Sequence, residues 1–434
     1  MKHLFSLFIA GLLLALAPPA AAQAPAWQSV RAVAAIAAAS TNNFSNVQAT
    51  AVDAAGNVLL AGNFIETVVL GGTALTSLGT RDVFVAKFNP ASNQFVWAQR
   101  AGGTGQDEVR ALAVSGTSVY VAGHFTGATA GFGPVTLASA GDSDAFVAKL
   151  TDAGPTSNFV WAQRAGGTGQ DRATALAVSG ASVYVVGHFT GATAGFGPIT
   201  LTNALNFFSD AFVAKLTDAG PTSNFVWAQR AGGMYTDIPT ALAVQGTNVL
   251  VAGSFSWPTA SFGATTMTGE GQNDVFVAKL TDAGLTGSFA WAQRAGGVDR
   301  DEATALAVNG TRVYVAGTFY SFTADFGAIT LTNTNFTGPL GFLARLTDPT
   351  LTATATAGPR EPTALFPNPA RGAATLRLPA GTPGALLTLT DALGRAVRRY
   401  PAPAGPETAL DLRGLPAGLY LLRGAGPARR LAVE

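Results

Sequence analysis

The sequence predicts an all-β protein, on three observations. The string Trp-Ala-Gln-Arg-Ala-Gly-Gly begins at Trp97, Trp161, Trp227 and Trp291, at spacings of 64, 66 and 64 residues. Between these copies every apolar run is short, rich in Val, Phe, Tyr and Ala, and bounded by Gly, Asn, Asp or Ser, which is how strands and turns are written. No run reaches helical length. The array also has an unfinished unit at one end and a surplus segment at the other, a pairing that predicts closure into a ring.

At the N-terminus, Met1-Lys2-His3 is a short positive region, Leu4 to Leu16 is apolar, and Pro18 to Ala22 ends in small residues. This is the pattern of a secretory signal peptide over residues 1–22. Its apolar stretch is short for a membrane span of about 20 residues, and no later segment supplies one, so the expected mature chain, 23–434, has no transmembrane segment. The expected route is export to the periplasm of a Gram-negative bacterium and then to the outside or the outer cell surface.

Residues 23–348 hold five repeats of about 64 residues. Each carries a strand a (Ala-Leu-Ala-Val at Ala111, Ala175, Ala241 and Ala305), a strand b (Val-Tyr-Val-Ala-Gly or a variant at Val119, Val183, Val249 and Val313) and a strand c (at Phe146, Phe212 and Phe276). The tryptophan string supplies strand d. A fainter first copy has Ala49 to Val52, Val58 to Gly62 and Phe84 to Phe88. In Asp144 to Leu150 one face presents Phe146, Ala148 and Leu150 and the other Val147 and Lys149, the period-two pattern of a partly solvated strand. Ser179 to Ser182 joins strands a and b at hairpin spacing.

Four antiparallel strands per unit make a blade, and radial packing leaves only short, protected edges. The expected fold is therefore a five-bladed β-propeller of four-stranded blades. The fifth unit stops after Gly341 to Leu346, while Trp27 to Val30 precedes the first strand a and looks like a displaced strand d. Pairing these two would close the ring, whereas an open stack would need polar capping units. The motifs Gly-Gly-Thr-Gly-Gln-Asp, Ala-Leu-Ala-Val and Val-Tyr-Val-Ala-Gly resemble the bacterial β-propeller repeat family known as SBBP over about residues 27–348. That resemblance implies a secreted protein and leaves blade number and activity open.

Residues 349–362 form a Thr/Ala/Pro linker without apolar periodicity. In 363–434 alternating runs such as Thr375 to Leu378, Leu386 to Thr390, Ala409 to Leu412 and Leu419 to Leu422 predict a small β-sandwich. This segment carries nine arginines against four carboxylates, while residues 23–362 hold 16 basic and 21 acidic side chains. Two oppositely charged parts thus give a net charge of only +1. Phe366-Pro367-Asn368-Pro369, then Asp391 to Arg395 with Gly394, then Leu415 to Tyr420 with Gly418, resemble the type A C-terminal sorting domain of type IX secretion cargo. The resemblance implies the type IX secretion machinery as a partner and export across the outer membrane. It leaves open whether the module is cleaved or anchored.

Composition excludes several functions. Zero cysteine removes thiol nucleophiles, thiolate metal sites and disulfide frameworks. A near-zero net charge gives no case for nucleic acid, whose phosphates require clustered cations. No His-Glu-x-x-His, Gly-x-Ser-x-Gly or phosphate-loop motif occurs. Hence no catalytic residue, metal or cofactor is assigned.

His124 and His188 occupy one repeat position that elsewhere holds Asn63, Ser254 and Thr318, and so read as solvated strand ends. Asp107, Asp171, Asp237 and Asp301 each lie ten residues after the repeat tryptophan. They are either a carboxylate ring at a channel mouth or caps on the interblade loop, with Ser45 in the first copy. Asp82, Asp144, Asp210 and Asp274 precede strand c in the same way. The repeat tryptophans read as packing between blades.

Variation between copies points elsewhere. In an up-and-down blade the b-to-c and d-to-a loops share one face, and the b-to-c loops collect extra aromatics: Phe207, Phe208, Trp257, Tyr320 and Phe322. Those rings, with Asn and Gln nearby, are candidates for binding a glycan or a protein. Neutral drift, with the rings tucked against the blade, is the alternative. The expected function is a noncatalytic binding or scaffold protein outside the cell. A glycan-active hydrolase or lyase, which requires two convergent carboxylates, and a purely structural surface protein are the other two readings.

Overall fold

The computed structural model describes residues 32, 44–334, 338–351, 364–377, 386–391, 395–402, 407–423 and 429–434. The described chain is built of β-strands, with no helix among these residues. The expected signal peptide and the segment Trp27 to Val30 lie outside the described residues.

The second repeat shows the plan of a blade. Strands a (Asp107–Ser115), b (Ser118–Thr126), c (Ser143–Asp152) and d (Ser157–Gly167) pair antiparallel in that order. Its a–b connection is a tight hairpin whose Gly116 has φ of 60°, a left-handed conformation that glycine adopts without steric cost. The first, third and fourth repeats have the same a-b-c-d core.

Two further strands per repeat were not foreseen. The segment between b and c folds into a hairpin, Thr129–Phe132 with Val135–Ala138 in the second repeat. That hairpin pairs with strand d of the preceding blade, Ala101 facing Phe132 and Gly103 facing Ala130. Four-residue strands containing glycine carry too little periodic signal to read as strands. They extend three sheets to six strands and tie the second, third and fourth blades each to the one before it.

Between consecutive blades lies one apolar layer. Val83, Val85 and Trp97 of the first blade meet Val119, Val121, Phe125, Phe132 and Phe146 of the second, all buried, and equivalent layers follow between later blades. Burying rings such as Phe125 and Phe146 completely is what stabilises each seam, at roughly 1.5–3 kcal/mol per side chain. The a strands pack side by side from Phe44–Val52 through Asp301–Asn309. The sheets of the described residues are not closed. The fifth sheet has three strands and ends at Leu340–Thr347, whose outer edge no described strand pairs.

The C-terminal residues form two facing sheets. One holds Ala364–Phe366, Ala373–Arg377 and Glu407–Asp411, and the other Ala396–Tyr400, Leu387–Thr390, Gly418–Arg423 and Arg429–Val433. Leu376, Leu389, Leu410, Leu422 and Leu431 fill the space between them. This is the small sandwich that the alternating runs predict.

Candidate functional site

The carboxylates before strand a are caps by their geometry. Asp107 accepts the Gly103 amide at 2.6 Å, Asp171 that of Gly167 at 2.6 Å, Asp237 that of Gly233 at 2.7 Å and Asp301 that of Gly297 at 2.7 Å. All four are buried. Burial pushes Asp107 and Asp171 up to about 7 and Asp237 up to about 8, and a second carboxylate beside each (Asp82, Asp144 and Asp210) adds to the shift. The second carboxylate of each pair is bound by the arginine of strand d: Arg100 to Asp82, Arg164 to Asp144 at 2.7 Å, Arg230 to Asp210 at 2.6 Å and Arg294 to Asp274 at 2.8 Å. Each pair closes on a glycine of strand d. A Cβ on Gly102 would lie 2.6 Å from Asp107 Oδ2 and 2.9 Å from the Asp82 carboxyl carbon. Convergent carboxylates are thus present, yet they face backbone inside the seam and leave a substrate no approach.

A second repeated constellation was not recognised in the sequence. The aspartate of the c–d turn accepts hydrogen bonds from two or three side chains of the preceding blade. Asp218 receives Lys149 Nζ at 2.6 Å, Tyr120 Oη at 2.6 Å and Trp161 Nε1 at 3.1 Å. Asp282 receives Lys215, Tyr184 and Trp227, Asp152 receives Lys87 and Trp97, and Asp348 receives Lys279 and Trp291. Burial alone would raise the Asp218 and Asp282 carboxyls, but Lys149 and Lys215 with the tyrosines hold both below the usual carboxylate range. The tryptophans therefore pack between blades, as expected, and also fasten them. The shared spacing of Lys in strand c, Trp in strand d and Asp in the near-constant turn was the available signal.

The histidines correct the sequence reading. His124 is buried rather than solvated, because its strand end is covered where the next blade's strand a packs. Burial lowers both His124 and His188 to about 4, and Arg172 beside each adds to it, so both rings are neutral at pH 7.

The variable loops do meet. Phe208, Tyr235, Trp257, Glu270, Gln272 and Val298 line one open cleft of about 550 Å³ at the third and fourth blades. Phe208 precedes a strand c, Tyr235 and Val298 lie in d-to-a loops, and Trp257 and Glu270 flank a b-to-c hairpin. The face shared by these two loop types thus carries the cleft. Phe208 and Tyr235 meet edge to face with centroids 4.8 Å apart. Trp257 is 55% exposed, an unusual state for an indole. Glu270 is held by Arg294 at 2.7 Å while half its side chain remains in solvent. Phe207 projects 90% exposed next to the cleft lining, and Tyr320 and Phe322 are exposed on the fifth repeat outside it. Tyr235 was missed because it lies in a d-to-a loop, and Glu270, although in the same b-to-c loop as Trp257, was not singled out because aromatic rings were the signal sought there.

In the sandwich, Asn368 donates its side-chain amide to the Arg430 carbonyl at 2.9 Å and accepts the Ala432 amide at 2.9 Å, fixing the Pro-Asn-Pro segment along the last strand. Tyr420 is buried, its hydroxyl donating to the Pro416 carbonyl at 2.7 Å, and Gly418 begins its strand. Phe366 lies under the Arg377 guanidinium, whose central carbon is 5.2 Å from the ring centroid, a cation–π contact. Gly394 lies outside the described residues.

Blade sheets and a terminal sandwich define an all-β, propeller-like repeat protein with an appended module. The appended module is identifiable: residues 364–428 match the secretion system C-terminal sorting domain, so this chain carries a type IX sorting tail. No curated protein matches the chain. Among solved structures, a structural-genomics target protein from Lactobacillus plantarum is 12% identical, with 82% of this chain and 99% of that one covered and a TM-score of 0.27. A likeness at that level carries no argument, and the fold rests on the strand pairing itself.

Proposed function

We propose that the protein is a secreted or surface-displayed noncatalytic binding protein. It passes the periplasm of a Gram-negative cell, leaves through the type IX system by its C-terminal tail, and takes a glycan in the aromatic cleft. The repeats are read as SBBP-like blades. The exposed Trp257 indole beside the Phe208 and Tyr235 rings, with Glu270 and Gln272 at the rim, carries this reading. Flat apolar rings stack on the C–H faces of sugars, while a carboxylate and an amide accept and donate to hydroxyls. The burial of the repeated carboxylate pairs supports a noncatalytic role.

A glycan array probed with the intact chain and with Trp257→Ala tests the proposal. The expected result is a defined set of glycans bound by the wild type and lost, by about tenfold or more in affinity, in the variant. Equal binding by both would overturn the cleft as the site, and capture of no glycan by either would leave the protein-ligand or purely structural reading in its place.

A further inference from the structure

We propose that the binding site is a track rather than a single pocket, and that an uncharged linear polysaccharide lies along it, held at the Trp257 cleft and at a further subsite formed by Tyr320 and Phe322. This rests on the glycan reading of the cleft and adds the form and charge of the ligand.

A continuous ladder of backbone joins the two places. Asp237 donates its amide to the Ser209 carbonyl at 2.8 Å, and Ser256 donates to the Thr236 carbonyl at 3.1 Å. Ser256 pairs with Asn273, Asn273 bridges Arg300, and Tyr320 donates its amide to the Arg300 carbonyl at 3.0 Å. The strand ends that carry Phe208, Tyr235, Trp257, Gln272 and Tyr320 therefore stand side by side. Neighbouring backbones in such pairs lie about 4.8 Å apart, so the Tyr320 backbone starts within about 14 Å of Ser256, the residue before Trp257. One sugar ring cannot span that distance, whereas a short run of linked sugars can.

The rings along this ladder are departures from the repeat. Gly127 and Gly191 stand where Trp257 stands, Gly105 and Gly169 where Tyr235 stands, and Thr126 and Thr190 where Tyr320 stands. The two threonines fasten the loop: their hydroxyls accept the Gln106 and Gln170 amides, each at 2.6 Å. In the fourth blade Ser256 keeps a hydroxyl at that position, donating to the Thr236 carbonyl at 2.8 Å, and the ring is added one residue later. In the fifth blade the fastening has moved instead. Ser321, fully buried, accepts the Asp299 amide at 2.9 Å and donates to Asp301 at 2.8 Å. Tyr320 is thereby released from the loop's support and stands 45% exposed, with Phe322 at 52%. A ring kept only to pack the loop would be covered.

The charges select the polymer. Arg294 is held by Glu270 at 2.7 Å and by Asp274 at 2.8 Å, and Arg300 by Glu302 at 2.6 Å. Asp299, between Val298 of the cleft and Arg300, is exposed. Both arginines are thus neutralised within the protein, and a uronate or sulfate would meet Asp299, so the favoured chain is neutral.

Native gels containing laminarin, glucomannan, xyloglucan, polygalacturonate or alginate, run with the intact chain, Trp257→Ala and Tyr320→Thr, test the proposal. Threonine is the residue of the second and third blades at that position, so the last variant keeps the fold. At least one neutral polymer is expected to retard the wild type and neither acidic polymer to do so, with retention weakened about tenfold in Tyr320→Thr. A hexasaccharide of the retarding polymer should compete at least tenfold better than its disaccharide, an advantage that Tyr320→Thr removes. Unchanged retention of Tyr320→Thr beside a loss in Trp257→Ala, or equal competition by the two lengths, would overturn the track while leaving the cleft as a site for one or two sugars. Retention by the acidic polymers alone would overturn the neutral-polymer proposal but not the glycan reading, and retention in none of the gels would overturn both.

Discussion

At Gly232, where φ is 144°, a side chain is absent because two carboxylates occupy its place: a Cβ would collide with Asp210 Oδ1 and lie 2.5 Å from Asp237 Oδ2. The consequence is pH-dependent stability. The folded protein holds a proton on Asp237 up to about pH 8, while the unfolded chain releases it near the ordinary carboxylate value of about 4. Between those values the native state binds more protons than the unfolded state, so stability falls as pH rises. His124 and His188, lowered to about 4, give the opposite slope between about 4 and 6.5, which leaves the range above pH 6.5 to the carboxylates. Asp237→Asn, which mimics the protonated carboxyl, is expected to flatten the fall in melting temperature between pH 6.5 and 8.5. Parallel profiles for variant and wild type would contradict the assignment. At this scale the sequence was partly legible: the regular spacing of the aspartates exposed them as a set, but burial of His124 depends on the neighbouring blade and leaves no mark in a single repeat.

The unit that repeats is a blade plus its fastening to the next blade. Lys149 and Asp218 are both buried, so removing one partner strands the other's charge. Asp218→Ala is expected to destabilise the fold by about 3–5 kcal/mol, read as a drop in the denaturant midpoint. Replacing Lys149 with Met in that background should recover part of the loss, and no recovery would show that the carboxylate acts only as a turn former for Gly220. The strands a to d were legible because each alternates over five or more residues. The hairpins between b and c were not, since Thr129–Phe132 is short, includes Gly131, and gains its strand character by pairing with Ala101 and Gly103 in another blade. Long-range pairing of that kind overrides local propensity.

For the molecule as a whole, sequence motifs located the export tail, and residues 364–428 match the sorting domain. Deleting residues 364–434 is expected to hold the protein inside the cell envelope of a type IX-competent host, with cell fractionation as the readout. Secretion of the truncated chain would show another route. The cleft was half legible: Phe208 and Trp257 stood out as extra aromatics, but only folding places Tyr235 and Glu270 beside them, from segments separated by more than one strand. Trp257 is exposed, so its removal should leave stability within about 0.5 kcal/mol, and any loss of binding can be assigned to the cleft. Calorimetric titration of an array-selected glycan into the wild type and into Trp257→Ala is the most direct measurement. The account predicts saturable binding to the wild type and an affinity at least tenfold weaker in an equally stable variant; identical isotherms would contradict it.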